Sequence, residues 1–426
     1  MTESSGIASR PIPEPESSAN KTSLGLIFVI VFIDLLGFAI VLPLLPRYAE
    51  RLQASKGTIG LLMASYSAMQ FIFAPLWGRF SDRVGRRPVL LAGLLGSVIF
   101  YALFGVGTIL ESLPLMFIAR IGAGIAGATI STAQAYIADA TGVKGRAKGM
   151  AMIGAAFGAG FTFGPILGSI ALPHGMLKVG ELEPLNALPG FLASGLSLVA
   201  FSVAFIKLPE SLRKDGPHRP HRWLNIHALR EAMQVPSIGA LLLMLFLSTF
   251  AFTQFEVTLS LLTKHAFNLS DDTNFYIFTY MGITLSVMQG FLVRRLAPRL
   301  GEVTMIIMGV IFLAAGLWLT SIVAGEKSIH MLLAVMPLLI AGFSFVTPSA
   351  LGLISRRSDP GRQGEVLGVT QSVSAMARIL GPYSGLKLFG HGMFLPYQLG
   401  ALLLIPAFLL AVFSVRFGSD FSAPGE

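Results

Sequence analysis

Long apolar stretches separated by short polar breaks run through almost the whole chain. A transmembrane helix needs roughly 20 mainly apolar residues, and twelve stretches of this kind can be read from the sequence. They lie near residues 24–46, 57–78, 88–109, 113–139, 147–172, 187–208, 236–263, 273–293, 303–324, 329–354, 363–388 and 393–416. The pattern predicts an all-α membrane protein with twelve transmembrane helices and no sizeable domain outside the membrane.

The composition agrees with this pattern, because 54% of the 426 residues are apolar and only 12% are charged. A soluble globular chain has about 45–50% apolar and about 25% charged residues, so a water-soluble enzyme and a disordered chain are excluded. The chain has no Cys, which excludes disulfides and thiolate metal sites. We expect neither a metal nor any other cofactor.

Polar segments divide the predicted helices into two groups of six. Residues 1–23 form a predicted disordered cytoplasmic tail, 24–208 an N-terminal six-helix bundle, and 209–235 a cytoplasmic linker. Residues 236–416 form a C-terminal six-helix bundle, and 417–426 a second cytoplasmic tail. Apolar residues at near-helical spacing in the linker favour an amphipathic helix on the membrane surface, and a solvated linker is the alternative.

The Lys and Arg residues are distributed unevenly between the two sides of the membrane. The side of the N-terminus carries 22 of the 31, the opposite side carries seven, and two lie inside helices. Because cytoplasmic loops carry the excess of positive charge, both termini are predicted to be cytoplasmic. The net charge of +9 therefore reflects topology in a lipid bilayer, and we expect no nucleic-acid partner.

The two groups of six helices resemble each other weakly. A shift of about 217 residues places Gly164-Pro165 on Gly381-Pro382, and a shift of 216 places Gly85 on Gly301. Two six-helix pseudo-repeats around a central cavity are an architecture of transporters, in which one half rocks against the other. The alternative is a duplication without functional meaning.

Four ionisable residues lie inside predicted helices: Asp34, Arg120, Glu256 and Arg378. A charge at that depth costs at least a few kcal/mol, so each is a functional candidate. The proton occupancy of a carboxyl near the midplane can depend on which side of the membrane is open. We interpret Asp34 as the principal proton-coupling residue, modulated by Arg120; a structural hydrogen bond is the alternative. Glu256 contacts protons or substrate in this interpretation, or is a solvated rim residue.

The expected substrate site is a mainly apolar cavity with a few polar groups. Arg378 stays charged and could anchor a carboxylate, sulfonate or phosphate, or it could only neutralise Glu256. Uncharged polar residues on the predicted cavity helices could orient a ligand, and an interhelical hydrogen bond is the alternative for each. They are Gln70, Gln134, Tyr136, Gln254, Tyr280, Gln289 and Gln371.

The loop between the second and third predicted helices, residues 78–88, reads Gly-Arg-Phe-Ser-Asp-Arg-Val-Gly-Arg-Arg-Pro. It resembles the signature loop of the major facilitator superfamily. Gly85 allows a tight turn, and Asp82 can pair with cations or with a helix N-terminus across the interface between the halves. We predict a latch that holds one access state shut; a loop that only sets topology is the alternative. The predicted latch residues are Gly78, Asp82, Arg83, Gly85, Arg86, Arg87 and, from helix four, Asp139.

Helices one, four and five extend the resemblance to tetracycline and multidrug/proton antiporters. Helix one carries Asp34-Leu35-Leu36-Gly37 and Pro43-Leu44-Leu45-Pro46, and helix four carries Arg120 before spaced glycines. Helix five resembles the motif that marks the antiporter branch. We interpret this motif as a hinge or as a seal between cavity and outside; close packing is the alternative. Its residues are Gly154, Gly158, Gly160, Gly164, Pro165 and Gly168.

Residues 255–265, 289–295 and 368–382 are similar to an animal tetracycline-transporter-like group of the same superfamily. The resemblance implies a proton-coupled antiporter that exports small amphipathic organic anions or drugs. It also implies a functional monomer in the plasma membrane, or in the inner membrane of a Gram-negative bacterium. A facilitator or a proton symporter is the alternative. An intramembrane hydrolase using Ser344 and His391 is more distant, and we expect no enzymatic activity.

Overall fold

A computed structural model describes residues 17–171, 186–212, 236–358 and 363–418 of the chain. These residues form helices joined by short turns, with no strand among them. The helices are α1 (Ser17–Val41), α2 (Leu45–Arg51), α3 (Lys56–Val84), α4 (Arg86–Ile109), α5 (Leu113–Gly127), α6 (Ile130–Ile170), α7 (Leu188–Lys207), α8 (Pro236–Phe267), α9 (Asp271–Val287), the π-helical turn π1 (Met288–Val293), α10 (Arg294–Gly325), α11 (Ile329–Arg357), α12 (Gln363–His391) and α13 (Leu395–Phe417). The predicted surface helix of the linker lies outside the described residues, as do residues 1–16 and 419–426.

The apolar pattern and the helices agree on a multi-pass, all-α membrane protein. Nine stretches of the described residues are long and apolar enough to cross a membrane, so the predicted count of twelve is not reached by this measure. Asp271–Gly325 joins predicted helices eight and nine into one stretch. Helix α12 is not among the nine, because polar residues such as Gln371 and Arg378 lie within it.

Helix α6 contains two legs that run in opposite directions. Ile130 and Ala133 line the same small cavity as Asp34 of α1, while Gly160 packs directly on Leu35, the next residue of α1. A straight helix would separate Ile130 from Gly160 by about 45 Å, so the chain turns back between them. The legs correspond to the second part of predicted helix four and to predicted helix five.

The two halves of the chain meet along two pairs of helices, α3 with α12 and α6 with α9. Glycine permits a close approach in each pair. A Cβ on Gly60 of α3 would lie 2.8 Å from Tyr383 Cα of α12, and a Cβ on Gly282 of α9 would overlap the backbone of Phe161 in α6. Larger side chains at either glycine would therefore push the halves apart.

The contacts between the halves are closer at the predicted outer end than at the predicted inner end. At the outer end, the ammonium of Lys56 lies 5.6 Å from the ring centre of Phe389. At the inner end, a Cβ on Gly78, Gly290 or Gly368 would meet no neighbouring atom within 4 Å. Among the described residues, the halves are thus in close contact at the predicted outer end, whereas these three glycines at the predicted inner end have no close neighbour.

Candidate functional site

Asp34 lies on α1, where α4 and the first leg of α6 surround it. The hydroxyl of Ser97 donates a hydrogen bond of 2.8 Å to its carboxylate. Beside the carboxylate is a cavity of about 20 Å³, lined by Thr129 and apolar side chains, with room for about one water molecule. A carboxylate can accept about four hydrogen bonds, so Asp34 retains capacity for a further partner.

The guanidinium of Arg120 is buried against aromatic rings. The residue is 2% exposed, and its central carbon lies 4.7 Å from the ring centre of Tyr66 and 5.5 Å from that of Phe38. These cation–π contacts are attractive, but Nε and Nη1 have no hydrogen-bond partner. Among the described residues no carboxylate lies within ion-pair distance of Arg120, so its charge is not neutralised by a direct contact.

Tyr66 lies near both Asp34 and Arg120. Its ring contacts the guanidinium, and its hydroxyl approaches the same backbone position, Gly127, as the carboxylate does. A Cβ on Gly127 would lie 2.5 Å from the Tyr66 hydroxyl and 3.7 Å from Oδ2 of Asp34. The carbonyl of Gly127, where α5 ends, accepts a hydrogen bond of 3.2 Å from Gln70. The acid, the phenol and the guanidinium therefore lie near one another in the N-terminal half.

The C-terminal half places Glu256 and Arg378 close enough to attract each other. Glu256 is partly exposed and Arg378 is exposed, and no ion pair within 4.0 Å joins the two. Glu256 lies on the same face of α8 as Ser260 and Thr263, one and two turns away. The acid and the arginine thus form an open pair rather than a closed salt bridge, and both have surface available to a ligand.

The seven uncharged polar residues predicted for the cavity fall into two groups. Four make hydrogen bonds between elements of the fold: Gln70 to the Gly127 carbonyl, Tyr136 to the Pro209 carbonyl, Gln254 to Ser384, and Tyr280 to the Leu333 carbonyl. Gln134 and Gln289 are partly exposed, and Gln371 is exposed. The first four residues thus make the structural hydrogen bonds that were the alternative to ligand binding. The other three have polar surface that a ligand could reach.

Arg86 is the centre of the loop between α3 and α4. Its guanidinium pairs with Asp82 at 2.5 Å and with Asp139 at 3.1 Å, and it donates to the Ser81 hydroxyl at 2.6 Å. Gly85 before it has a φ of +113°, a conformation that glycine adopts readily. All these partners of Arg86 belong to the N-terminal half, whereas the sequence predicts that the loop pairs across the halves.

Glu210, which follows α7, holds the start of α4. Its carboxylate accepts the backbone N–H of Arg86 at 2.8 Å and of Arg87 at 3.1 Å. A carboxylate at a helix N-terminus satisfies free amides and the positive end of the helix dipole. Arg87 also donates to a backbone carbonyl near the end of α7, while Arg83 is exposed and Gly78 is partly exposed. The sequence predicts a contact of Asp82 with a helix N-terminus across the halves; the acid that binds the amides at the start of α4 in this structure is Glu210.

The glycines of the helix-five motif face two different neighbours. Gly160 and Gly164 pack on α1, the helix of the candidate proton site. Gly158 and Gly168 face α9 of the other half, and the Gly158 carbonyl accepts a hydrogen bond of 3.1 Å from Ser286. The motif therefore touches both the acid-bearing helix and the interface between the halves. Its other members are Pro165, inside α6, and Gly154, whose surroundings lie outside the described part of the structure.

The serine and histidine considered for hydrolysis lie in different surroundings. Ser344 is fully buried in α11, while His391 is exposed at the end of α12, where its Nδ1 lies 2.9 Å from the Lys387 carbonyl. No hydrogen bond joins the two among the described residues. Within the same residues, no group of three or more His, Asp or Glu side chains could hold a metal ion.

Known membrane transporters resemble the chain along most of its length. The family profile described as Major Facilitator Superfamily matches residues 27–382. The chain belongs to the major facilitator superfamily. This superfamily member is 28% identical over 378 residues to the class B tetracycline resistance protein of Escherichia coli, covering 87% of the chain and 90% of that protein. It is 27% identical over 380 residues to multidrug resistance protein 2 of Bacillus subtilis, with 88% and 90% covered.

A solved structure extends the similarity to the fold. The crystal structure of the human organic anion transporter MFSD10 (TETRAN) matches with a TM-score of 0.68 at 27% identity, covering 92% of this chain and 99% of that one. The resemblance to tetracycline-type and animal tetracycline-transporter-like proteins of the superfamily, read from the sequence, is confirmed. The relatives of this chain are transporters and not enzymes.

Two residues near the acid and the arginine of this superfamily member, Ser97 and Tyr66, are not predicted from the sequence. Single hydroxyl residues are common in apolar helices, so neither stands out by type. Their depth in the membrane is the signal that points to both residues. Each lies nine residues from the first residue of its predicted helix, roughly 14 Å along the helix and close to the depth of Asp34. Glu210 was missed because it lies just beyond predicted helix six, in a segment read as linker.

Proposed function

We propose that this member of the superfamily is a proton-coupled antiporter that exports amphipathic organic anions or drugs by alternating access. The observation that carries the proposal is the group formed by Asp34, Tyr66 and Arg120. It combines an acid that has one hydrogen-bond donor with a buried arginine that has no acid partner among the described residues. An acid inside a membrane domain can take up and release a proton as its surroundings change.

Protonation of Asp34 would change the local charge by one unit beside a fixed guanidinium. In this proposal, unprotonated Asp34 offsets the charge of Arg120 at a distance, and protonation of Asp34 leaves that charge uncompensated. A conformational change that brings another group close to Arg120 is then favoured in one protonation state and disfavoured in the other. This difference is what couples a proton to the rocking of the halves.

The class of substrate is proposed from the other half of the chain. Arg378 is exposed and forms an open pair with Glu256, and its guanidinium stays charged and can hold an anionic group by two parallel hydrogen bonds. The printed names of the relatives support this choice, since they refer to tetracycline resistance, multidrug resistance and organic anion transport. We therefore expect substrates with an anionic group on an apolar body.

The test is proton flux in liposomes that hold a pH-sensitive dye. A proton gradient is imposed, and amphipathic anions and cations are added to the wild-type protein and to Asp34→Asn. We expect substrate-dependent proton flux, opposite in direction to the substrate, that is lost in Asp34→Asn. Asn can still accept the hydrogen bond from Ser97, so the variant removes the proton site with little change in packing.

Ser97→Ala is the matched control, because it removes the hydrogen bond and keeps the ionisable group. It should retain coupled flux. Substrate movement without proton flux, equal in the wild type and in Asp34→Asn, would make the protein a facilitator and leave Asp34 a structural residue. Proton and substrate moving in the same direction would make it a symporter.

A further inference from the structure

Predicted helix one is broken at Pro43, and the break presents a carbonyl to the other half. Helix α1 ends at Val41 and α2 begins at Leu45, because proline cannot donate a helical hydrogen bond. The Pro43 carbonyl accepts hydrogen bonds of 2.6 Å from the Ser260 hydroxyl and of 3.2 Å from the Asn274 side chain. Both donors belong to the C-terminal half.

Arg47, one turn further along, reaches into the C-terminal half with all three nitrogens of its guanidinium. Nε donates to the Ser260 carbonyl at 3.0 Å, and Nη2 donates to the Thr263 hydroxyl at 2.9 Å. Nη1 donates to the Leu269 carbonyl at 3.0 Å and to the Asp271 carboxylate at 2.8 Å. Arg47 is 1% exposed. A buried guanidinium bonded in this way is a geometrically specific tie between the halves.

The end of α2 adds ion pairs to the same contact. Glu50 accepts from Lys264 at 2.6 Å, and it lies 2.8 Å from the ring nitrogen of His265. Both of these partners lie at the end of α8. Arg51 pairs with Asp271 at 2.9 Å. Residues 43–51 thus present a carbonyl, two cations and one anion, and each meets a complementary group of the other half.

We propose that residues 43–51 are the outer gate of this transporter, with Arg47 as the residue that holds it shut. The gate joins the two halves at the end where the structure is closed. On α8 its contacts Ser260 and Thr263 share a helix face with Glu256, so the gate lies one to two turns, about 6–10 Å, beyond the candidate substrate site. When the outer end opens, the bonds of Arg47 to α8 and α9 must break. The inference depends on alternating access and not on proton coupling.

Accessibility of a cavity position tests the gate without any substrate. The chain has no Cys, so Glu256→Cys is a single reporter thiol below the gate. A charged, membrane-impermeant methanethiosulfonate reagent should label it slowly from the outer side. Adding Arg47→Ala should raise the outer-side rate about ten-fold or more, because the variant removes the four hydrogen bonds of a buried guanidinium across the halves and one of the two ion pairs of Asp271. Arg47→Lys keeps the charge but not the fork of donors, so it should give an intermediate rate.

The labelling experiment tests the gate even if Arg47→Ala fails to fold, since Arg47→Lys and Asp271→Asn each remove part of the same set of contacts between the halves. Folding of each variant is checked by its gel-filtration profile. An outer-side rate that stays unchanged in the folded variants would show that residues 43–51 are a fixed staple and not a gate.

Cross-linking supplies a matched pair of variants around Glu50, which contacts Lys264 of the other half and Lys56 of its own half. In Glu50→Cys/Lys264→Cys, a reducible bifunctional thiol reagent should stop transport of a compound active in the liposome assay, and reduction should restore it. In Glu50→Cys/Lys56→Cys, the same reagent should leave transport unchanged. Continued transport by the cross-linked first pair, or equal inhibition of both pairs, would overturn the gate.

Discussion

Replacing Gly60 with Ala should weaken the closed state at the predicted outer end. The added Cβ would lie 2.8 Å from Tyr383 Cα and 3.1 Å from its carbonyl oxygen, closer than ordinary contacts allow. Helices α3 and α12 would have to separate by about half an ångström, and overpacking of this kind costs about 1–3 kcal/mol. Because the contact exists only where the outer ends meet, the penalty falls on the closed state alone. It corresponds to a shift of about 5- to 150-fold between closed and open populations.

Gly57→Ala is the control, because it lies one turn earlier in α3 and its Cβ would meet only the Ser55 hydroxyl at 3.8 Å. Exchanging Gly for Ala in a helix stabilises it by about 1 kcal/mol, and both variants share this gain, so the overpacking penalty at Gly60 is what separates them. Both are made in the Glu256→Cys background and labelled from the outer side. We expect faster labelling and a lower apparent Tm for Gly60→Ala than for Gly57→Ala. Equal rates and equal Tm values would refute the reasoning.

Two further variants probe the inner loop and the substrate charge. Gly85→Ala should destabilise the protein by about 1–3 kcal/mol, since φ is +113° and the Cβ would overlap the Glu210 carboxylate. The control is Gly78→Ala, whose Cβ would have no neighbour within 4 Å. The apparent Tm of Gly85→Ala should be lower than that of Gly78→Ala, and equal Tm values would contradict this. Arg378→Ala should abolish transport of anionic substrates and spare neutral compounds of similar size in the liposome assay, whereas equal loss of both would assign Arg378 a structural role.

The spans of the helices can be predicted from the sequence because each helix must be apolar enough by itself to enter the membrane. The positions of the breaks cannot. The sequence predicts one helix over 24–46, whereas α1 ends at Val41 and α2 continues to Arg51. Pro43 and Pro46 permit a break, but the groups that bind the freed carbonyl lie more than 200 positions away, and a single sequence does not pair them.

The candidate site shows the same limit. Charge at membrane depth identifies Asp34 and Arg120, because such charges are costly without a function. It does not reveal that aromatic rings, rather than an acid, contact Arg120. Arg47 is a clearer failure of sequence reasoning: the charge count includes it among the seven basic residues on the outer side, but it is 1% exposed in the structure. Burial of this arginine depends on partners from the other half of the chain, which composition and periodicity do not report.

The anchoring of Glu210 at the first turn of α4 has a mechanical consequence for the N-terminal half. The Glu210 carboxylate accepts the backbone N–H groups of Arg86 and Arg87, and Arg87 donates to the Phe205 carbonyl of α7. The end of α7 is therefore coupled to the start of α4, and a displacement of α7 moves the loop between α3 and α4 with it. Movement of one helix end is in this way transmitted to the latch residues without any contact across the halves.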